Sequence, residues 1–215
     1  MNGNWAELSA PILAYLIGAI PFAWLIGRLH GVDLRTAGSR NVGAGNLTRT
    51  VGMRAGMTAA LLDGLKGLGP TLIARRLDFG GGIVTLVGLA AVAGHNWSIY
   101  FRGRSGRGLA TSAGVLAAVD PAMVFWTGGW SAAGWKLGGG LSGFIGWTLL
   151  PLFALWMDRP ASAVLVAVGL AALMIVRRVQ GNSGRALGAY AAWHRAIWDR
   201  DPEHDQSGAS EPVRS

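Results

Sequence analysis

The stretch Ala10-Pro-Ile-Leu-Ala-Tyr-Leu-Ile-Gly-Ala-Ile-Pro-Phe-Ala-Trp-Leu-Ile-Gly-Arg-Leu29 carries no charge before Arg28. A helix needs about twenty apolar residues to cross roughly 30 Å of hydrocarbon. Gly18, Pro21 and Gly27 interrupt the run, and membrane helices tolerate such residues better than soluble ones do. Outward from it, apolar segments recur at 55–74, 80–97, 109–119, 121–135, 142–157 and 161–176. Several fall short of a full crossing. The pattern therefore predicts an all-α membrane protein with about seven transmembrane or half-crossing helices.

Composition agrees. Of 215 residues 51% are apolar and 14% charged, where a soluble domain has about 25% charged residues. The absence of cysteine excludes disulfides and thiolate metal sites, and the apolar content excludes disorder over most of the chain. The net charge is +8, but the cations lie between hydrophobic spans, which argues against a nucleic-acid partner and for a lipid bilayer. With the N-terminus outside, segments 28–54, 98–108, 136–141 and 177–215 face the cytoplasm and hold 15 Lys and Arg residues. The opposite face holds only Arg75, Arg76 and Arg159. The positive-inside rule selects that orientation. No cation precedes Arg28, so a signal peptide is not expected. The expected organisation is a membrane domain over 1–185, an interfacial amphipathic helix over 186–198 and a disordered polar tail over 199–215.

Three cytoplasmic segments share one chemistry. The first, read as a loop over 36–49, places Gly38, Gly43 and Gly45 among Ser39, Asn41, Asn46 and Arg49. Glycines allow close backbone approach, and amide, hydroxyl and guanidinium groups bind phosphate oxygens. A juxtamembrane turn with capping residues accounts for the segment equally well. The second begins at His95-Asn96 and runs through Gly106-Arg107-Gly108 into an apolar span. The first N–H groups of such a helix favour an anion, although a basic loop beside anionic lipid is the competing reading. The lysine followed by Ser or Thr of a P-loop is absent. The third, Arg177-Arg-Val-Gln-Gly-Asn-Ser-Gly-Arg185, repeats the combination. Within the second span, Asp63 and Lys66 share a helical face; ionised groups there face the bundle interior and pair, which suits a supporting role for them and for His95 and Asn96.

On these residues the chain resembles the bacterial integral-membrane acyl-phosphate:glycerol-3-phosphate acyltransferases. The similarity runs through Gly18 to Gly27, Gly38-Ser-Arg-Asn-Val-Gly-Ala-Gly-Asn46 with Arg49, Asp63-Gly-Leu-Lys-Gly67, Gly94-His-Asn-Trp97 and Gly106-Arg-Gly-Leu-Ala-Thr-Ser112. It implies acyl transfer from acyl phosphate to the 1-hydroxyl of glycerol 3-phosphate, giving lysophosphatidate and phosphate. It also implies a cytoplasmic site in the inner membrane, no cofactor or metal, and an acyl-phosphate-producing enzyme as partner. Carried over by position, Ser39, Arg49, Arg107 and Asn182 are catalytic, while Asn41, Asn46, Gly106, Gly108 and Ser142 bind substrate. The chain departs from the family at Arg40 (glycine), Gly45 (threonine), Ser98 (proline), Arg107 (lysine) and Val179 (histidine). The last departure implies an impaired enzyme. An altered substrate and a non-catalytic lipid-phosphate binder are the alternatives.

Overall fold

The computed structural model describes residues 5–101, 105–137, 139–180 and His194. Asn182 and the tail 199–215 lie outside them, as does the helix expected over 186–198 apart from His194. Among the described residues the chain is all-helical: α1 Trp5–Ala19, α2 Phe22–Leu29, α3 Ala44–Thr50, α4 Met53–Arg76, α5 Gly81–Asn96, α6 Leu109–Val119, α7 Pro121–Leu137, α8 Gly139–Thr148, α9 Leu150–Trp156 and α10 Ala161–Gln180. A single 3-10 turn, Ile99–Phe101, follows α5.

Trp5–Leu29, Gly81–Phe101 and Ala161–Gln180 are long and apolar enough to cross a bilayer. With 24 residues α4 is also long enough, but it holds Asp63 and Lys66 in its interior. The first span is broken where Pro21 lacks an N–H. Carbonyls at the break are met from distant elements: Ser98 Oγ donates to Ala19 O at 2.7 Å and Lys66 Nζ to Ile20 O at 2.8 Å. In an apolar medium an unmet carbonyl costs several kcal/mol, roughly, so these two side chains are part of the span. Ser98 thus has a structural task.

Two glycine-lined crossings draw the helices together. A Cβ on Gly18 would collide with Ala91 O, and one on Gly94 with Tyr15 O, so α1 and α5 meet backbone to backbone. Gly67 stands likewise against Thr111 O, and Gly114 against Gly64 O, between α4 and α6. Lipid tails supply no hydrophobic drive between helices, and close backbone packing takes its place. Val92, Leu116, Met123, Leu150, Leu170 and Met174 form the largest core, among α5, α6, α7, α9 and α10. Smaller clusters join α1 to α4 and α5 through Ala14, Ala74 and Val87, and α2 to α3 and α4 through Ala23, Leu47 and Ala59.

The structure corrects two sequence-based expectations. Residues 44–49, read as part of the loop over 36–49, belong to α3. Gly45, Asn46, Thr48 and Thr50 are weak helix formers, but Leu47 is fully buried. The hydroxyls of Thr48 and Thr50 bond back to the carbonyls of Ala44 and Asn46. The segment 142–157 is divided between α8 and α9 by a break at Leu149, ahead of Pro151.

Candidate functional site

The site occupies the end of the bundle where α2 and α5 finish and α4 and α6 begin. Its first half is the turn before α3. Asn46 is fully buried, and its Oδ1 accepts the Ser39 N–H at 3.0 Å. Its Nδ2 donates to Ala37 O at 3.0 Å and Leu34 O at 3.4 Å. The loop is wrapped around one amide. Gly38 (φ +56°) permits this, because a Cβ would overlap Asn46 Oδ1. Across the turn Arg49 Nη2 donates to Ser39 Oγ at 3.3 Å, with both residues exposed. Two expected site residues are therefore adjacent, and a third, Asn46, holds the backbone of Ser39 from beneath. Asn41 Oδ1 is buried without a hydrogen-bond partner. Arg40 adopts φ +57°, a left-handed conformation costing a side-chain-bearing residue about 1–2 kcal/mol.

The segment leading into this turn is fastened by Asp33. Arg35 donates to its carboxylate through Nε at 2.9 Å and Nη2 at 2.6 Å, and through its own backbone N–H at 3.0 Å. Trp24 Nε1 adds a bond of 3.2 Å. The Arg35 hydrogen bonds hold the Asp33 carboxyl well below the usual carboxylate range, against a smaller opposing effect of burial. Arg35 also lies over the rings of Trp24 and Phe101, at 5.5 and 5.9 Å from their centroids. Trp24 and Phe101 meet edge to face at 5.3 Å. The first loop is thereby tied to the turn that follows α5.

The second half is the strand of backbone at 105–108. A Cβ on Gly106 would overlap the His95 imidazole at Nε2, and one on Gly108 (φ +74°) would press on Asn96 Oδ1. The glycines are required by the two residues beneath them. Arg177, 5% exposed, reaches from the end of α10 and donates through Nε to Gly106 O at 3.0 Å and through Nη2 to Ser105 O at 2.7 Å. Below lie Asp63 and Lys66, paired at 2.9 Å, with His95 Nδ1 3.7 Å from the same carboxylate oxygen. The expected supporting residues thus form a buried charged base under the glycine segment. Arg107 stands half-buried between the two glycines, at the start of α6. Thr111 Oγ1, Ser112 Oγ and both polar atoms of Asn96 are buried with no hydrogen-bond partner. Polar atoms of this kind, at a helix N-terminus beside an arginine, suit an anion.

Ser142, 1% exposed, lies on α8. A Cβ on its neighbour Gly143 would press on Arg178 Nη2, and Arg178 Nη1 donates to Gly140 O at 2.9 Å. The end of α10 therefore braces both the glycine segment and α8. The sequence grouped Arg177 with the segments rich in anion-binding side chains; its anchoring of residues 105 and 106 is a separate, long-range role. Only the pairing of adjacent arginines at the end of an apolar helix hinted at it. Val179 lies half-buried in the same last turn.

A family model described as glycerol-3-phosphate acyltransferase matches residues 8–188. A glycerol-3-phosphate acyltransferase of Deinococcus radiodurans is 35% identical over 84% of this chain and 96% of its own. One from Aquifex aeolicus is 37% identical over 77% and 88%. The relative from Moorella thermoacetica is 47% identical, but the match spans only 61% of its length and 55% of this chain. Among solved structures, the chain resembles the glycerol 3-phosphate form of PlsY, an integral membrane glycerol 3-phosphate acyltransferase. The TM-score is 0.75 at 37% identity, covering 80% of this chain and 88% of that one. The lysophosphatidic acid form gives a TM-score of 0.74 at 36% identity.

Proposed function

Since the chain belongs to the glycerol-3-phosphate acyltransferase family, we propose that it transfers a fatty acyl group from acyl phosphate to the 1-hydroxyl of glycerol 3-phosphate. The hydroxyl oxygen forms the ester bond to the acyl carbon as the bond from that carbon to the phosphate oxygen breaks. Lysophosphatidate and inorganic phosphate leave. Acyl phosphate carries its own good leaving group, so the protein has mainly to orient the reactants and stabilise charge.

The observation that carries this reading is the glycine segment opening α6, with Arg107 above and His95, Asn96 and Arg177 below. Arg49 and Arg107 hold phosphate oxygens, together with the N–H groups that open α6. Ser39, fixed by Asn46 and Arg49, orients the glycerol hydroxyl, and Asn182 assists. Gly106 and Gly108 give the backbone room; Asn41 and Ser142 complete the substrate contacts. The hydroxyl proton passes to a phosphate oxygen of the substrate, which makes the chemistry independent of a histidine at position 179. The site faces the cytoplasm from the inner membrane, where an acyl-phosphate-producing enzyme supplies the donor. Purified protein given palmitoyl phosphate and labelled glycerol 3-phosphate is expected to form labelled lysophosphatidate. No product, under conditions where the Aquifex relative turns over, overturns the reading.

A changed acceptor is the second reading, favoured by Gly45. The nearest atom to a Cβ built there is Arg49 Nη1, at 3.9 Å. Where the family has threonine, this chain leaves space beside the guanidinium, and turnover of a bulkier polyol phosphate in preference to glycerol 3-phosphate would establish it.

A further inference from the structure

At the opposite end of the bundle a cavity of about 640 Å³ lies among the starts of α5, α7 and α10 and the ends of α4 and α6. The 16 residues of α5 separate it from the glycine segment, about 24 Å at 1.5 Å per residue. It is a different place from the acyl-transfer site.

Arg75 and Arg159 both line the cavity. Arg75 uses Nη1 alone to hold the carbonyls of Ala118 and Val119. Arg159 forms an ion pair with Asp120, its Nε lying 2.6 Å from Oδ2 without hydrogen-bond alignment. The remaining nitrogens of both guanidiniums bond nothing among the described residues. The openings of α5 and α10 add backbone donors, because the N–H groups of Gly81 and Ser162 likewise have no described acceptor. Ser162 also offers its hydroxyl. Its carbonyl and that of Gly81 both accept from Thr85 Oγ1, at 3.3 and 2.9 Å, which locks the two helix starts together. The α7 start is already capped, since Asp120 Oδ1 accepts the Ala122 N–H at 2.9 Å. Asp120 is thus occupied by Arg159 and Ala122, and Asp78 is the other carboxylate at the rim.

We propose that this cavity binds a phosphate ester, and that Asp78 favours one carrying an ammonium group. Two guanidinium forks and two helix N-termini meet the phosphate, while the carboxylate meets the cation. A zwitterionic phospholipid headgroup has both groups, and the ends of bilayer-crossing helices lie at headgroup depth. A soluble phosphate ester offers the anionic half alone.

The test is native mass spectrometry of the detergent-purified, delipidated chain titrated with phosphatidylethanolamine, phosphatidylglycerol or inorganic phosphate. Phosphatidylethanolamine is expected to bind best. R75Q/R159Q should weaken it at least tenfold, and D78N should remove its advantage over phosphatidylglycerol. S162D places a carboxylate in the cavity without removing a side-chain hydrogen bond and should weaken binding as strongly. An unchanged thermal midpoint in S162D shows that loss of binding is not loss of fold. Equal binding by the parent chain and S162D overturns the site. Inorganic phosphate displacing the lipid at equal concentration overturns the headgroup assignment in favour of a soluble ester.

Discussion

Arg177 donates its Nε proton to the carbonyl of Gly106 across 3.0 Å, joining the last turn of α10 to the segment that opens α6. The two residues lie 71 positions apart in sequence. The bond is buried, and Nη2 makes a parallel one to Ser105. A guanidinium has the planar fork for two adjacent carbonyls, which an ammonium lacks.

Arg177→Ala leaves two buried carbonyls unmet, at about 1–3 kcal/mol each. The expected result is a lower thermal midpoint and a strong rise in KM for the phosphate substrate. Arg177→Lys should restore part of the stability and less of the affinity. Equal KM in Arg177→Lys and the parent chain would show that the fork does not position the loop.

Gly106→Ala should fail for a steric reason, because its Cβ meets the His95 ring. Removing the ring should help: the double variant His95→Ala with Gly106→Ala is expected to recover activity relative to Gly106→Ala alone. The coupling is measured by a double-mutant cycle on kcat/KM, and additive losses count against the contact.

The pair of Asp63 and Lys66 is almost fully buried. Removing one partner strands the other charge, at roughly 3–5 kcal/mol. Lys66→Met also frees Ile20 O at the break in the first span. Asp63→Leu with Lys66→Met is expected to lie closer to the parent in thermal midpoint than either single change. A double variant worse than both singles would show that the two buried charges do not offset each other.

Asp33 sets a pH dependence with a definite sign. Its folded-state pKa lies below the unfolded value because Arg35 holds the ionised form. The contact therefore adds stability above about pH 4, the ordinary aspartate range, and loses it as pH falls through the depressed value. Trp24 fluorescence should stay constant from pH 7 to about pH 4 and change only in stronger acid. Asp33→Asn should abolish that acid step. A step centred at the ordinary aspartate pKa in the parent chain would contradict the arrangement.

Apolar length and interruption were readable from the chain: six of the seven apolar segments reappear within a few residues as single helices or as the α1–α2 pair broken at Pro21, and 142–157 reappears as α8 and α9. The run of glycine, serine, asparagine and arginine over 38–49 marked one half of the candidate site, and 105–108 the other. Residues 44–50 escaped notice as a helix because their intrinsic propensity is poor and burial of Leu47 outweighs it.

Periodicity and composition report how each segment meets its solvent, so they settled the all-helical membrane character and the loops rich in anion-binding groups. They do not report which distant backbone a buried side chain satisfies. That Asn46 holds Ser39, that His95 and Asn96 demand glycine at 106 and 108, and that Arg177 ties α10 to Ser105 and Gly106 became definite only in the packed molecule. A buried donor must find an acceptor, and helix packing decides which one is within reach.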